Sequence, residues 1–354
     1  MRRAWGGGAL LVLAAGMAAP QEPVTALMDA GHWKRARAAA EARYKANPND
    51  AVANYLLGRV RLAQGNHDEA LKLAEKAAQL APRNADYRYL VSSVVGEQAA
   101  EASIFRQMGL ARRFKREAEA VLELDPNHLD ARFALMVFYV RAPGIVGGDK
   151  KKAAEMAAEI RKISPARGYI AEVRLAREEK RTVDFEALYK KALEADPRMY
   201  SAHMSLVGIY GSDQSKKYDL AERHAREAMK IDAGQMNAYG YLASLYASQE
   251  RWAELDAILA DAEKNVPDNL NPYYQASRIL LQRNTDLPRA ERYIRKYLTQ
   301  EAELGMPSHA AAHWRLGLIH EKQGRKADAV AALQASLRLD PKFEPAKNDL
   351  KRLK

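Results

Sequence analysis

Prolines recur along this chain at a nearly constant interval. They stand at Pro48, Pro82, Pro126, Pro165, Pro197, Pro267 and Pro341. The successive spacings are 34, 44, 39, 32, 70 and 74 residues, and the last two are close to doubled intervals, with Ala233 and Ala302 at the skipped positions. Because proline ends a helix and disfavours helix in the residue before it, a period of about 34 residues predicts a stack of short helical units.

Small residues recur inside each interval in a fixed order. The unit from Ala51 to Pro82 contains Leu57-Gly58, Gly65, Ala70, Ala74 and Ala77, and the last complete unit, from Ala310 to Pro341, contains Leu316-Gly317, Gly324, Ala329 and Leu333. Small side chains let the two helices of one unit approach closely, and a glycine at the break supplies the backbone freedom that ends the first helix. This pattern closely resembles the tetratricopeptide repeat family.

The resemblance covers nearly the whole chain from about Val24 and implies an all-α fold, a right-handed superhelical solenoid. We expect about seventeen helices and essentially no strand. The array divides into a partial unit 24–48, units of about 51–82, 85–126, 129–165, 168–197, 200–233, 236–267, 270–302 and 310–341, and a capping helix 345–354. The unit that closes at Pro126 is about ten residues too long, with extra helix-compatible sequence around "GEQAAEASIFRQMG".

The stretch "RAPGIVGGDKKKA", residues 141–153, raises the question of phosphate binding. A nucleotide-binding loop needs glycine, four residues, Gly-Lys and then a hydroxyl residue after a strand. Here Asp149 stands where the second glycine belongs and Lys151 replaces the hydroxyl residue. We therefore interpret the stretch as an elongated turn between two helices of one unit, with Lys150–Lys152 opening the second helix. Three lysines at a helix start oppose the helix dipole, which leaves an anionic partner open at this loop.

The composition and the remaining motifs argue against an enzyme. The chain has no cysteine, which excludes disulfides, thiolate metal sites and cysteine nucleophiles, and its net charge of +11 is spread among 45 acidic residues. His309, His313 and His320 share one helix face, but His313 and His320 occupy positions where the repeat packs large side chains. We therefore predict packing histidines, no metal, no cofactor, no catalytic residue and no nucleic-acid partner.

The N-terminus predicts export. Arg2 and Arg3 precede an apolar run, residues 9–19, and then Pro20, which are the three parts of a secretory signal peptide. We expect residues 1–18 to be removed and the mature protein to be periplasmic or secreted, without a lipid anchor. No later segment is apolar enough to span a membrane.

The resemblance implies that certain positions of each first helix face the inner curve of the solenoid. The candidate partner-binding residues at these positions are Tyr55, Arg59, Tyr89, Phe133, Arg141, Tyr274, Arg278 and Trp314. Two interpretations stay open. The aromatic side chains either pack between neighbouring helices, or they form a groove for an extended or helical peptide with arginines as hydrogen-bond donors.

The leading functional hypothesis is a non-enzymatic scaffold of the periplasm or cell envelope that binds a peptide or protein partner in this groove. Two alternatives remain. Exposed tyrosine and tryptophan could stack on the sugar rings of a glycan or envelope polymer, or the chain could be an adaptor in a secretion or assembly complex.

Overall fold

The computed structural model describes residues 23–353, so the signal peptide predicted for residues 1–18 lies outside the described part. Residues 23–353 form nineteen α-helices and no β-strand. In chain order the helices are α1 Val24–Asp29, α2 Trp33–Ala46, α3 Ala51–Ala63, α4 His67–Leu80, α5 Ala85–Glu101, α6 Ile104–Leu124, α7 Leu129–Arg141, α8 Lys150–Ile163, α9 Pro165–Glu178, α10 Phe185–Ala195, α11 Tyr200–Tyr210, α12 Tyr218–Ile231, α13 Met236–Ser248, α14 Trp252–Asn265, α15 Asn271–Arg283, α16 Leu287–Tyr297, α17 His309–Lys322, α18 Lys326–Leu339 and α19 Glu344–Leu353.

The helices form antiparallel pairs, α1 with α2 through α17 with α18, and α19 covers the end of the array. The expected count of about seventeen is too low, because the first unit contains a complete pair although α1 has only six residues. The architecture itself, an all-α solenoid, is confirmed. Helix α8 begins at Lys150 as expected, and the Asp149 carboxylate caps it by accepting from the backbone N–H of Lys151 at 2.9 Å.

Glycine sets the geometry of the pairs in two ways. Gly65 lies in the turn between α3 and α4 in a left-handed conformation, with φ of +76°, which L side chains rarely adopt. Gly317 lies where α17 crosses α18, and a Cβ atom there would stand 3.0 Å from the Leu333 side chain. The small residues thus allow the close helix approach that the repeat pattern predicts.

One unit is longer than the others. Helices α5 and α6 have 17 and 21 residues and extend as a hairpin beyond their neighbours. In the next unit, α7 and α8 are joined by eight residues, 142–149, that include a 3₁₀ turn at Gly144–Val146. Only glycine fits at position 148 of this loop, because a Cβ atom there would lie 1.7 Å from the carbonyl oxygen of Ala142.

The array curves back on itself. The turn between α1 and α2 meets the linkers that follow α12, α14 and α16, more than 200 residues later in the chain. His32 Nδ1 lies 3.0 Å from both carboxylate oxygens of Asp268, and Glu303 accepts the backbone N–H of Lys34 at 3.1 Å. A turn within a unit and the linkers between units lie on opposite edges of a solenoid. Their contact, called here the closure contact, therefore shows that the array has completed a superhelical turn.

The closure contact contains titratable groups that are withdrawn from water. His32 is buried, and its hydrogen bond to Asp268 raises its pKa, against the opposing effects of burial and of Arg35. Burial raises the pKa of Asp268, but the hydrogen bond and charge of His32 outweigh it, so the pKa is lowered. Glu303 is only 3% exposed, and its pKa is raised by burial. Proton uptake by His32 and Glu303 therefore favours the closed array.

Candidate functional site

Four of the candidate partner-binding residues come together on the first helices α3, α5 and α7. A recess of about 420 Å³ is lined by Tyr55, Arg59 and Tyr89 among others. A second recess of about 380 Å³ shares Tyr89 with the first and continues to Phe133. Asp130 also lines both, so the two recesses form one continuous surface, called here the inner trough.

The aromatic rings of the inner trough are half-buried. Tyr55 packs on Tyr87 with ring centroids 4.8 Å apart, and Tyr89 packs on His128 at 4.9 Å. Burial raises the pKa of both Tyr55 and Tyr89, so both hydroxyls remain neutral donors at ordinary pH. Each ring is held by a neighbour on one face and leaves part of its surface to the trough, which gives a rigid apolar platform.

Charged side chains surround this platform. Arg59 lies 5.9 Å from the centroid of the Tyr55 ring and donates to Asp29 at 2.9 Å. Arg167 forms an ion pair with Asp130 across the second recess. Asp86 also lines the trough and is mostly exposed. Both arginines are thus already paired with carboxylates, and the trough presents a mixed polar rim around its aromatic floor.

The candidate aromatic residues of the C-terminal half, Tyr274 and Trp314, pack against neighbouring helices. Tyr274 is only 5% exposed, packs on Tyr297 at 5.1 Å and accepts a hydrogen bond from Arg315 at 3.1 Å. Trp314 donates from Nε1 to Asp349 on α19 at 2.8 Å and packs on Phe343. For Tyr274 and Trp314 the structure therefore favours the packing interpretation over a groove role.

Arg278 and Arg315 form a pair of half-buried cations, called here the arginine pair. Arg278 donates to Gln275 at 3.0 Å, and its pKa is lowered by burial and by the charge of Arg315. The guanidinium of Arg315 stacks on the Tyr274 ring at 4.8 Å, and its Nε atom is buried without an acceptor. Within residues 23–353 the hydrogen-bond acceptors of the two guanidinium groups are Gln275 and the Tyr274 hydroxyl, and neither cation pairs with a carboxylate.

Arg141 lies apart from the other candidates. It is exposed at the end of α7, where its Nε atom donates to Glu178 at 2.6 Å. It borders a third recess, between the long α5–α6 hairpin and the loop 142–149. Arg141 is therefore a neighbour of the hairpin and not of the inner trough.

The sequence interpretation missed Arg315 and the trough carboxylates. Arg315 directly follows the candidate Trp314, but it reaches across to the neighbouring unit and stacks on Tyr274. The sequence does mark Arg315 as unusual, because it is basic at a repeat position where the equivalent residues Leu56 and Leu90 are apolar and buried. Among the described residues no group of three histidine, aspartate or glutamate side chains is placed to hold a metal ion.

Comparison with known proteins identifies the repeats. The tetratricopeptide repeat family profile matches residues 24–85 and 279–342. Superkiller complex protein 3 of the mouse is 29% identical over 170 residues, which cover 45% of this chain and 10% of the mouse protein. This chain thus spans about a tenth of the length of that relative.

Two solved structures share part of the course of this chain. Yeast Tom70 is 14% identical, with a TM-score of 0.47 over 93% of this chain and 86% of its own. A tetratricopeptide repeat protein of Thermus thermophilus is 20% identical, with a TM-score of 0.44 over 58% of this chain and 95% of its own.

Paired helices that stack around a shared inner surface define an α-helical repeat protein. The repeat pattern in the sequence and the family profile, which matches near both ends of the array, identify the type of helical repeat. Residues 24–85 and 279–342 thus carry tetratricopeptide repeats. In the described part, residues 23–353, no helix combines the length and apolar character needed to cross a bilayer.

Proposed function

We propose that this chain is a protein-interaction scaffold that binds an extended segment of a partner protein along its inner surface. We propose further that a carboxylate of the partner binds to the arginine pair. The observation that carries the proposal is the uncompensated charge of Arg278 and Arg315. Two like charges in a partly desolvated place oppose each other, and the lowered pKa of Arg278 reflects that cost. A carboxylate bound to the pair would offset this cost with charge-assisted hydrogen bonds.

The inner trough would bind the apolar part of the same segment. Tyr55, Tyr89 and Phe133 offer aromatic surface at regular spacing along three successive first helices. A row of positions on successive helices of a concave surface favours an extended partner over a compact one, since an extended chain spans about 3.3 Å per residue. Aromatic anchors of this kind supply a large share of the binding energy at protein interfaces.

Photo-crosslinking in cells tests this proposal. Benzoylphenylalanine replaces Phe133 in the trough, and the matched control places it at Lys72, an exposed position on the second helix α4. We expect protein adducts at position 133 and few at position 72. Arg278→Glu should reduce the adducts at position 133. Equal capture at both positions, or capture that is unchanged by Arg278→Glu, would refute a carboxylate-dependent inner binding surface.

We also propose that the chain functions outside the cytoplasm, in the periplasm or after secretion. The support is the sequence of residues 1–18, with two arginines, an apolar run and small residues near the expected cleavage point. Cell fractionation with mass spectrometry of the intact protein tests it. We expect a mature chain that begins near Ala19 in the exported fraction, whereas a cytoplasmic protein that retains residues 1–18 would contradict the proposal.

A further inference from the structure

The two irregular segments of the array meet at one place. The first is the long α5–α6 hairpin, and the second is the loop 142–149 in the next unit. Arg112 on α6 donates to the carbonyl oxygen of Ile145 in the loop, at 3.4 Å. Phe114 on α6 packs on Phe138 at the end of α7, with ring centroids 5.4 Å apart. Two departures from the repeat that are about 40 residues apart in the sequence thus build a single structure.

Together the two segments enclose a recess of about 540 Å³, called here the hairpin recess. Its floor consists of small residues, among them Gly96, Ala99 and Ala111, and its walls include Phe114 and Phe138. Apart from Gln107 and Arg141 the lining is apolar. A recess of this volume is in the range of sites that take up several large side chains of a ligand.

Large hydrophobic side chains near the opening of the recess are exposed to solvent. Ile145 is 75% exposed and Ile104 is 70% exposed, and both line the recess together with Met108. Phe105, which follows Ile104 in the sequence, is 86% exposed. The other strongly exposed large hydrophobic residues of the described chain, Leu80, Leu124, Leu304 and Leu339, are outside this recess. A cluster of this kind marks an interaction surface, because each uncovered apolar group costs free energy in water.

The two segments that form the recess carry more basic than acidic residues. Residues 102–116 contain Arg106, Arg112, Arg113, Lys115 and Arg116 and no acidic residue. Residues 141–153 add Arg141 and three lysines, and their single acidic residue, Asp149, is engaged in capping α8. Three of these cations are paired, Arg113 with Glu75, Lys115 with Glu119 and Arg141 with Glu178. The excess positive charge is therefore carried by Arg106, Arg112, Arg116 and the three lysines.

We propose that the hairpin recess binds an amphipathic helix of a partner protein, with large apolar side chains on one face and acidic residues on the flanks. A helix presents apolar residues at positions i, i+3 or i+4 and i+7, and these can fill a groove, while the acidic flanks complement the basic opening. A second copy of this chain fits poorly, because its own recess would bring the same positive charges face to face. A flat bilayer surface would touch the exposed tips but leave the recess empty.

A binding assay with designed peptides tests the proposal. The probe is a fluorescein-labelled helical peptide of about 18 residues with leucines on one face and glutamates on both flanks. Matched probes carry lysines in place of the glutamates, or the same residues in scrambled order. Vesicles of phosphatidylglycerol and phosphatidylcholine provide the membrane comparison. We expect the acidic peptide to bind and the other probes to bind at least about tenfold more weakly.

Three variants link binding to the recess. Ile104→Ser with Ile145→Ser removes the apolar opening, and Arg112→Glu reverses the charge; each should weaken acidic-peptide binding by about tenfold or more. Leu339→Ser, at an exposed apolar site outside the recess, should leave binding unchanged. All these side chains are exposed, so the circular dichroism spectra should be unaltered. No peptide binding, equal binding of the scrambled or lysine peptide, preferential vesicle binding, or self-association that the variants abolish would overturn the proposal.

Discussion

Tyr274 and Arg278 lie one helical turn apart on α15, yet their replacement should change stability in opposite ways. Tyr274 is buried, and its ring contacts both Tyr297 and the guanidinium of Arg315. Arg278 is a half-buried cation that is repelled by Arg315 and has no carboxylate partner in the described chain. Tyr274→Ala should therefore be strongly destabilising, whereas Arg278→Gln should not.

The magnitudes follow from the contacts. Deleting a large buried aromatic side chain costs about 3–5 kcal/mol, because the cavity adds to the lost burial. Tyr274→Ala also removes the acceptor and the ring face for Arg315, so we expect a loss near the upper end of that range. Tyr274→Phe keeps the ring and loses only the hydroxyl, which should cost about 1 kcal/mol. Arg278→Gln should change stability by no more than about 0.5 kcal/mol, or increase it slightly.

Hydrogen exchange resolved by helix is the appropriate assay, because repeat arrays open unit by unit and a single unfolding free energy is not defined for them. Tyr274→Ala should lower protection in α15–α17 and leave α3–α6 nearly unchanged. The reasoning is refuted if Tyr274→Ala costs less than about 1 kcal/mol in α15–α17, or if Arg278→Gln costs as much as Tyr274→Phe.

Three further predictions concern the loops and the closure contact. Gly148→Ala should lower hydrogen-exchange protection at the α7–α8 junction, because the added Cβ would clash with a carbonyl oxygen. The control Gly144→Ala should leave protection unchanged, because its Cβ would meet open space. Equal effects of the two substitutions would contradict this. Gly65→Ala should cost about 1–2 kcal/mol in local stability through backbone strain alone, and Gly65→Asn should cost less; protection of α3 and α4 measures both. His32 stabilises the closure contact below its ordinary pKa of 6.5, and this stabilisation is lost as the pH rises through its raised pKa. Glu303 acts in the same direction, because its pKa in the closure contact is raised above its ordinary value of 4.5. Spin-label distances between introduced cysteines on α2 and α14 should therefore lengthen from about pH 6 to about pH 9, and a His32→Gln, Glu303→Gln double variant that keeps this change would refute the mechanism.

The repeat pattern was sufficient to predict the helix pairs because it reports local physics. Gly65 and the recurring prolines act on their own backbone, so their effect does not depend on distant parts of the chain. The first unit was underestimated for the same reason, since α1 has six residues and no Leu-Gly pair to mark it. Its stability comes from Leu27 and Met28, which are buried against α2 and α3.

The inner surface could be predicted only as a set of equivalent positions. Tyr55 and Tyr274 occupy the same position in two units, yet one ring lines a recess and the other is buried. The difference arises from the next unit, where the large side chain of Arg315 covers Tyr274. Side-chain burial at a repeat position depends on the residue that the following helix presents, and a pattern read within one unit does not contain that residue.

The position of the hairpin recess could be predicted from the sequence, although its lining could not. Both irregular segments were visible in the sequence, the first as extra helical residues before Pro126 and the second as the glycine-rich stretch 141–153. Both lie at turns within a unit, and in a solenoid such turns share one edge, so insertions in adjacent units must be neighbours. What the pattern could not supply was the apolar lining, because Ala99, Phe114 and Phe138 have helical spacings that are equally typical of a closed core. The lining also depends on the loop, where the backbone of Gly148 lies against Ala142 and the exposed Ile145 side chain borders the recess, and neither contact follows from helical spacing.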